Sequence, residues 1–98
     1  MRSRSGIMRA LATELIHFTA SWAEPICGPH RGEVRSAAER LDASVREVDV
    51  DADQDEARAY RVLQVPSVAV AGDHQHSPIP GAQSAEELVS QIRSWRAT

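Results

Sequence analysis

The chain has 98 residues, 42% hydrophobic and 26% charged, with a formal net charge of −3. That suffices for one domain with a modest core, burying roughly 60–70% of the unfolded surface. It excludes two compact domains and a disordered chain, and no apolar run approaches the roughly 20 residues of a membrane helix. All eleven basic residues are arginines, scattered among fourteen acids. Without lysine, Schiff-base and P-loop chemistry are excluded, and no basic excess marks a nucleic-acid surface. Cys27 is the only cysteine, so neither an intramolecular disulfide nor a cysteine-rich metal cluster can form. The basic opening Met1–Gly6 is interrupted too soon to act as a secretory signal, and the expected location is the cytoplasm.

Residues 1–14 form a leader, weakly helical or disordered, and 15–96 form the domain. Leu15-Ile16-His17-Phe18-Thr19 is a compact apolar and β-branched run, expected to be a strand. Residues 20–32 hold two prolines and two glycines, hence a turn and a helix start. Val34, Ala37, Ala38 and Leu41 keep the i, i+3, i+4, i+7 spacing of an amphipathic helix. Val45–Val50 is a second strand. Asp53-Gln54-Asp55-Glu56 fits a capping box, starting a short helix to about Arg61. Val65-Pro66 breaks the chain. Ser67–Ala71, apolar or small throughout, suits a strand covered on both faces. Gly72–Gln75 is a turn, and Ser77–Pro80 a proline-marked edge strand. Ser84-Ala85-Glu86-Glu87 caps a last helix, lined by Leu88, Val89, Ile92 and Trp95. The order β-α-β-α-β-β-α implies one right-handed parallel crossover, a late antiparallel pair, and a mixed sheet with helices on both sides.

This pattern resembles the thioredoxin family over about Leu15 to Trp95. Three landmarks carry the resemblance: Phe18-Thr19-Ala20-Ser21-Trp22, similar to the strand end and tryptophan ahead of the redox motif; Val45–Asp51 followed by Tyr60 and Val65-Pro66-Ser67, similar to the third strand, helix tyrosine and cis-proline loop; and Gly81-Ala82 with Ser84, similar to the turn before the last helix. The implied fold is the thioredoxin-like three-layer α/β/α sandwich: a four-stranded mixed sheet, a cis-proline loop at Pro66, and a first strand short or missing.

The departure lies at the active site. Thioredoxins place Cys-x-x-Cys directly after the tryptophan, at a helix N-terminus. Two alignments compete. In one, Ala23-Glu24-Pro25-Ile26 occupies that slot, and Ala23 and Ile26 replace both cysteines. In the other, Cys27-Gly28-Pro29-His30 is the motif, with His30 for the second cysteine, at the cost of an insertion after Trp22. Under both, dithiol exchange fails, because one thiolate must attack and a second resolve the mixed disulfide. Ala23 at a cysteine position is also what an engineered replacement in an active thioredoxin would leave, although isoleucine is an unusual choice at position 26.

Two functions follow. The first is a peptide- or protein-binding module lacking the redox dithiol. By resemblance it would use Trp22, Val65, Pro66 and Gly81 as a shallow groove, with Val65 offering its backbone to an extended partner. The second is monothiol exchange through Cys27, near a helix N-terminus and one turn from His30, with glutathione as a candidate partner. Against it stands the ordinary reading of a packed cysteine and a solvated His30. His17 is expected to be a satisfied core histidine. His74 and His76 alternate along the last hairpin and could share a metal, but with only Asp73 nearby they read better as a polar tip. No metal, cofactor, nucleic-acid or membrane partner is expected.

Overall fold

The computed structural model describes residues 13–96. The leader therefore lies outside the described residues except for Thr13 and Glu14, and Glu14 already belongs to the first strand. In chain order the elements are β1 (Glu14–Thr19), a 3₁₀ turn (Ser21–Ala23), α1 (Glu24–Arg40), β2 (Ser44–Asp49), α2 (Gln54–Ala59), β3 (Ser67–Val70), β4 (Ile79–Pro80) and α3 (Ala85–Arg96).

The sheet order is β2-β1-β3-β4. β1 runs parallel to β2, with Phe18 opposite Val48, and antiparallel to β3, with Phe18 opposite Ser67. β4 closes one edge antiparallel to β3. This is the mixed α/β arrangement expected from the element order.

The apolar run of β1 sits at the centre, and Leu15, Ile16 and Phe18 are all excluded from solvent. Alternate residues of a strand face opposite sides, so this run needs a cover on each. Leu15 and Val68 pack against Val34 and Ala37 of α1 and Leu88 and Ile92 of α3. Ile16, Phe18 and Ala69 pack against Val48 and Tyr60 on the other side.

Helix α1 is longer than its proline and glycine content suggests. Pro25 stands in the first turn, where a missing N–H costs nothing. Pro29 lies inside the helix and deprives the Pro25 carbonyl of its intrahelical donor. The helix forms because its inward positions Cys27, His30, Val34, Ala37 and Ala38 continue a single buried stripe. Both expected N-caps form, each by the capping side chain alone. Asp53 accepts from the Glu56 N–H at 3.2 Å, and Ser84 from the Glu87 N–H at 3.2 Å.

Phe18 is fully buried on the α2 side of the central strand, with its ring 5.8 Å from that of Tyr60. Phe18→Ala is expected to cost about 3–5 kcal/mol, read as a lower urea midpoint at unchanged slope.

Candidate functional site

Three segments meet beyond the C-terminal end of β1: the 3₁₀ turn with the start of α1, the turn after β2, and the Val65–Pro66 loop. Ala20, Ala23 and Cys27 form a small buried cluster, with Val50 and Val65 packed against it. Around this cluster the surface is apolar and uncovered. Trp22 is 71% exposed and Ile26 54% exposed. The Trp22 indole N–H donates to Asp51 Oδ2 at 2.9 Å, which fixes the ring's direction without burying it.

The Val65–Pro66 peptide is cis. Pro66 is buried and Val65 half-buried. The Gly81 N–H donates to the Pro66 carbonyl at 2.9 Å, and Gly81 holds this position at φ 85°, a backbone conformation that disfavours any side chain. Among the described residues, no hydrogen bond involves the main chain of Val65.

Ala23 is the residue before α1, and Ile26 is in the helix's first turn. Cys27 is the fourth helical residue, completely buried, on the stripe that faces the sheet. The stretch Cys27-Gly28-Pro29-His30 is thus helix body rather than helix entrance.

His30 corrects the expectation of a solvated residue. It is 2% exposed and bonded to another buried histidine. Its Nε2 lies 3.0 Å from the Gln83 carbonyl, which can only accept, so Nε2 carries the proton. Nδ1 of the neutral ring is then the acceptor, and His17 Nε2–H donates to it at 3.1 Å. The result is a directional chain from β1 through α1 to the turn before α3. It does not reach Cys27 through any hydrogen bond among the described residues.

The other nitrogen of His17, Nδ1, is 3.9 Å from Glu47 Oε1. Glu47 is tied to α1 by Arg31, whose Nε donates at 2.7 Å and whose second guanidinium nitrogen donates at 2.8 Å. Arg31 also holds Glu24 of the first turn of α1. These bonds from Arg31 hold the Glu47 and Glu24 carboxyls below the usual range. Burial acts oppositely on the histidines by penalising the cation. The His17 pKa falls to about 4, lowered further by His30 and only partly restored by Glu47. Burial likewise lowers His30, against the Gln83 hydrogen bond.

His74 and His76 do not converge. The segment between β3 and β4 is turn rather than strand, so alternation places nothing on a common face. His74 stacks on Tyr60 at 4.3 Å. His76 stacks on Trp95 at 4.6 Å and donates from Nδ1 to Asp73 at 2.8 Å. Among the described residues no group of three or more metal-ligating side chains occurs, and no helix is long and apolar enough to cross a membrane.

Sequence reasoning passed over Asp51, Gln83 and the Arg31 strap. It also missed the inward facing of His30. Running the Val34–Leu41 stripe backwards by three and four residues would have found His30 and Cys27. The contact to Gln83, 53 residues away, has no local signal.

A four-stranded mixed sheet, a tryptophan ahead of the long helix and a cis-proline loop facing that helix define a thioredoxin-fold domain, here with a single cysteine. A sequence model of the family described as thioredoxin matches residues 4–94, and the chain belongs to that family. Among solved structures it is similar to a point mutant of thioredoxin from Halobacterium salinarum NRC-1, with 34% identity and a TM-score of 0.69 over 85% of this chain and 74% of that one. It is also similar to mitochondrial thioredoxin 3 from Saccharomyces cerevisiae, with 25% identity and a TM-score of 0.67 over 84% and 77%. The germline-specific thioredoxin Deadhead from Drosophila melanogaster shares the fold, at 21% identity and a TM-score of 0.68 over 96% and 92%. No curated protein matches at a significant level.

The buried histidines make stability depend on pH. The unfolded chain takes up protons near pH 6.5, whereas folded His17 resists until about pH 4. The unfolded state therefore binds more protons in between, and stability falls as pH drops through this window. The shift corresponds to about 3 kcal/mol at most. Urea unfolding at pH 7.5 and 4.5 measures the loss, and His17→Gln, which cannot titrate, is expected to flatten the slope.

Proposed function

We propose that this domain binds an extended segment of a partner protein at the surface formed by Trp22, Val65, Pro66 and Gly81, and that it does so without dithiol chemistry. The observation that carries this reading is the split between sulfur and surface. Cys27 is excluded from solvent while its neighbours Trp22 and Ile26 are exposed. Ala23 and Ile26, at the entrance of α1, take the positions of the absent dithiol, and neither can form a thiolate.

What supports a peptide ligand is the state of Val65. Among the described residues its N–H and C=O have no partner, beside a half-buried apolar side chain, which suits strand-type pairing with an incoming backbone. Trp22, held by Asp51, supplies an amphipathic wall of the kind that dominates binding surfaces. Under the alternative, monothiol exchange through Cys27 with glutathione or another outside thiol, the sulfur would first have to leave the cluster of Ala20, Ala23, Val50 and Val65. His30, the proposed helper, spends both ring nitrogens on His17 and Gln83. We place the protein in the cytoplasm, where a free cysteine is unremarkable.

Two measurements test this. Insulin reduction in the presence of a reductant is expected to stay at the reductant-only rate. Peptides selected from a phage-displayed random library on the full chain are expected to lose about tenfold or more in affinity on Trp22→Ala, and to change less than about twofold on Cys27→Ala. Loss of binding in the Cys27 variant, or insulin reduction above background, would overturn the reading.

A further inference from the structure

Trp22 holds its ring 71% exposed, and among the described residues no other ring and no arginine stacks on it. Its one polar atom is committed to Asp51 Oδ2 at 2.9 Å. A carboxylate therefore sits at the edge of an open indole face. Asp51 is itself exposed, and this is the only bond its side chain makes among the described residues. Its backbone is fixed from behind, the Asp51 N–H donating to Asp49 Oδ1 at 2.8 Å. An indole face already carries negative potential, and an N–H bonded to an anion polarises the ring toward more of it. The surroundings have the same sign. From Glu47 to Ala57 the chain has six acids and no base. The arginines packed near this stretch are engaged elsewhere: Arg31 bridges Glu24 and Glu47, Arg46 holds Glu14 and Glu56, and Arg58 reaches Asp55.

We propose that Trp22 and Asp51 together form a subsite for an arginine side chain of the bound partner segment, its guanidinium lying on the indole face and hydrogen-bonded to the Asp51 carboxylate. The inference rests on the peptide-binding reading above and adds the side-chain class to it. An exposed indole alone would accept any flat or apolar group, and a carboxylate alone any cation. Joined through the indole N–H, they select a group that is planar, cationic and a donor around its rim. A guanidinium is all three. It is weakly hydrated, stacks on aromatic faces and keeps its N–H groups in its own plane, free to reach a carboxylate while stacked. A lysine ammonium, compact and strongly hydrated, gains less from the ring. The acidic run from Glu47 to Glu56 adds a field that draws a basic segment in and repels an acidic one. The charge that would complement this surface is thus missing from its own neighbourhood and has to arrive with the ligand.

The test uses the full chain labelled with ¹⁵N, titrated at low salt with N-acetyl-argininamide, its neutral isostere N-acetyl-citrullinamide, and N-acetyl-lysinamide. The arginine probe is expected to shift the Trp22 indole N–H and the Asp51 amide saturably, leaving the Trp95 indole in place. It should bind about fivefold more tightly than the citrulline probe and about twofold more tightly than the lysine probe. Asp51→Asn keeps an oxygen for the indole N–H and removes the charge, and should cut the preference for arginine over citrulline to less than about twofold. The subsite is refuted if Trp22 does not respond, if citrulline or lysine binds as well as arginine, or if Asp51→Asn keeps the full preference. A response that appears only after Arg2, Arg4 and Arg9 are replaced by glutamine would make the chain's own arginines the occupant, which overturns a partner's arginine there. A saturable, Asp51-dependent response supports the subsite even if no Trp22-dependent peptide is selected. Selected peptides that need Trp22 but lack arginine, or bind unchanged with citrulline in its place, overturn the subsite and leave the groove reading intact.

Discussion

A polar residue at the centre of the sheet constrains much of this molecule. β1 is flanked by β2 and β3 and covered on both faces, so His17 has no access to bulk water through its Nε2. A buried imidazole N–H without a partner would cost more than a bond returns. The fold answers with a second buried histidine on α1, and that ring in turn requires the Gln83 carbonyl. Strand, long helix and the turn ahead of α3 are therefore fixed to one another by two hydrogen bonds of set direction. The geometry of this chain is best satisfied when both rings are neutral, which is why burial and hydrogen bonding together make the folded state sensitive to acid.

The outer side of the same arrangement is ionic. Arg31, one position after His30, joins Glu24 at the start of α1 to Glu47 on β2. Such half-exposed pairs contribute little stability individually. Their consequence is positional: the first turn of α1, which carries Pro25 and Ile26, is tethered to an edge strand by a planar two-sided clamp. Trp22 is tied to the turn after that strand through Asp51. The proposed binding surface thus has its exposed apolar groups set by polar anchors behind them, leaving their nonpolar faces free.

Much of the fold was legible in the chain because its signals are local. The β1 run, the Leu88–Val89–Ile92 stripe of α3, the two capping boxes and the Val65-Pro66 break each declare themselves within a few residues. What was not legible had one of two physical causes. Residues 24–32 read as a turn and a helix start, since Pro25, Gly28, Pro29 and Gly32 are poor helix formers, yet tertiary burial of the stripe through Cys27 and His30 makes the whole stretch helical. The other cause is distance. Nothing near His30 announces Gln83, and nothing near Trp22 announces Asp51. The hairpin histidines lie in the turn and each has its own ring partner, Tyr60 for His74 and Trp95 for His76, which the preferred reading of a polar tip did not name.

The proposed surface does not depend on a dithiol, because its polar anchors contain no sulfur. Trp22 is oriented by Asp51, Gly81 is held to Pro66 by a backbone bond, and Gln83 is pinned to His30. Cys27 is fully buried in the cluster with Ala20 and Ala23, where it packs as a small apolar side chain. A second thiol would have been a reacting group attached to this scaffold rather than a part of it. The tryptophan, the proline loop and the glycine turn keep their arrangement here without a second thiol, and the proposed pairing of a partner's backbone at Val65 would require none.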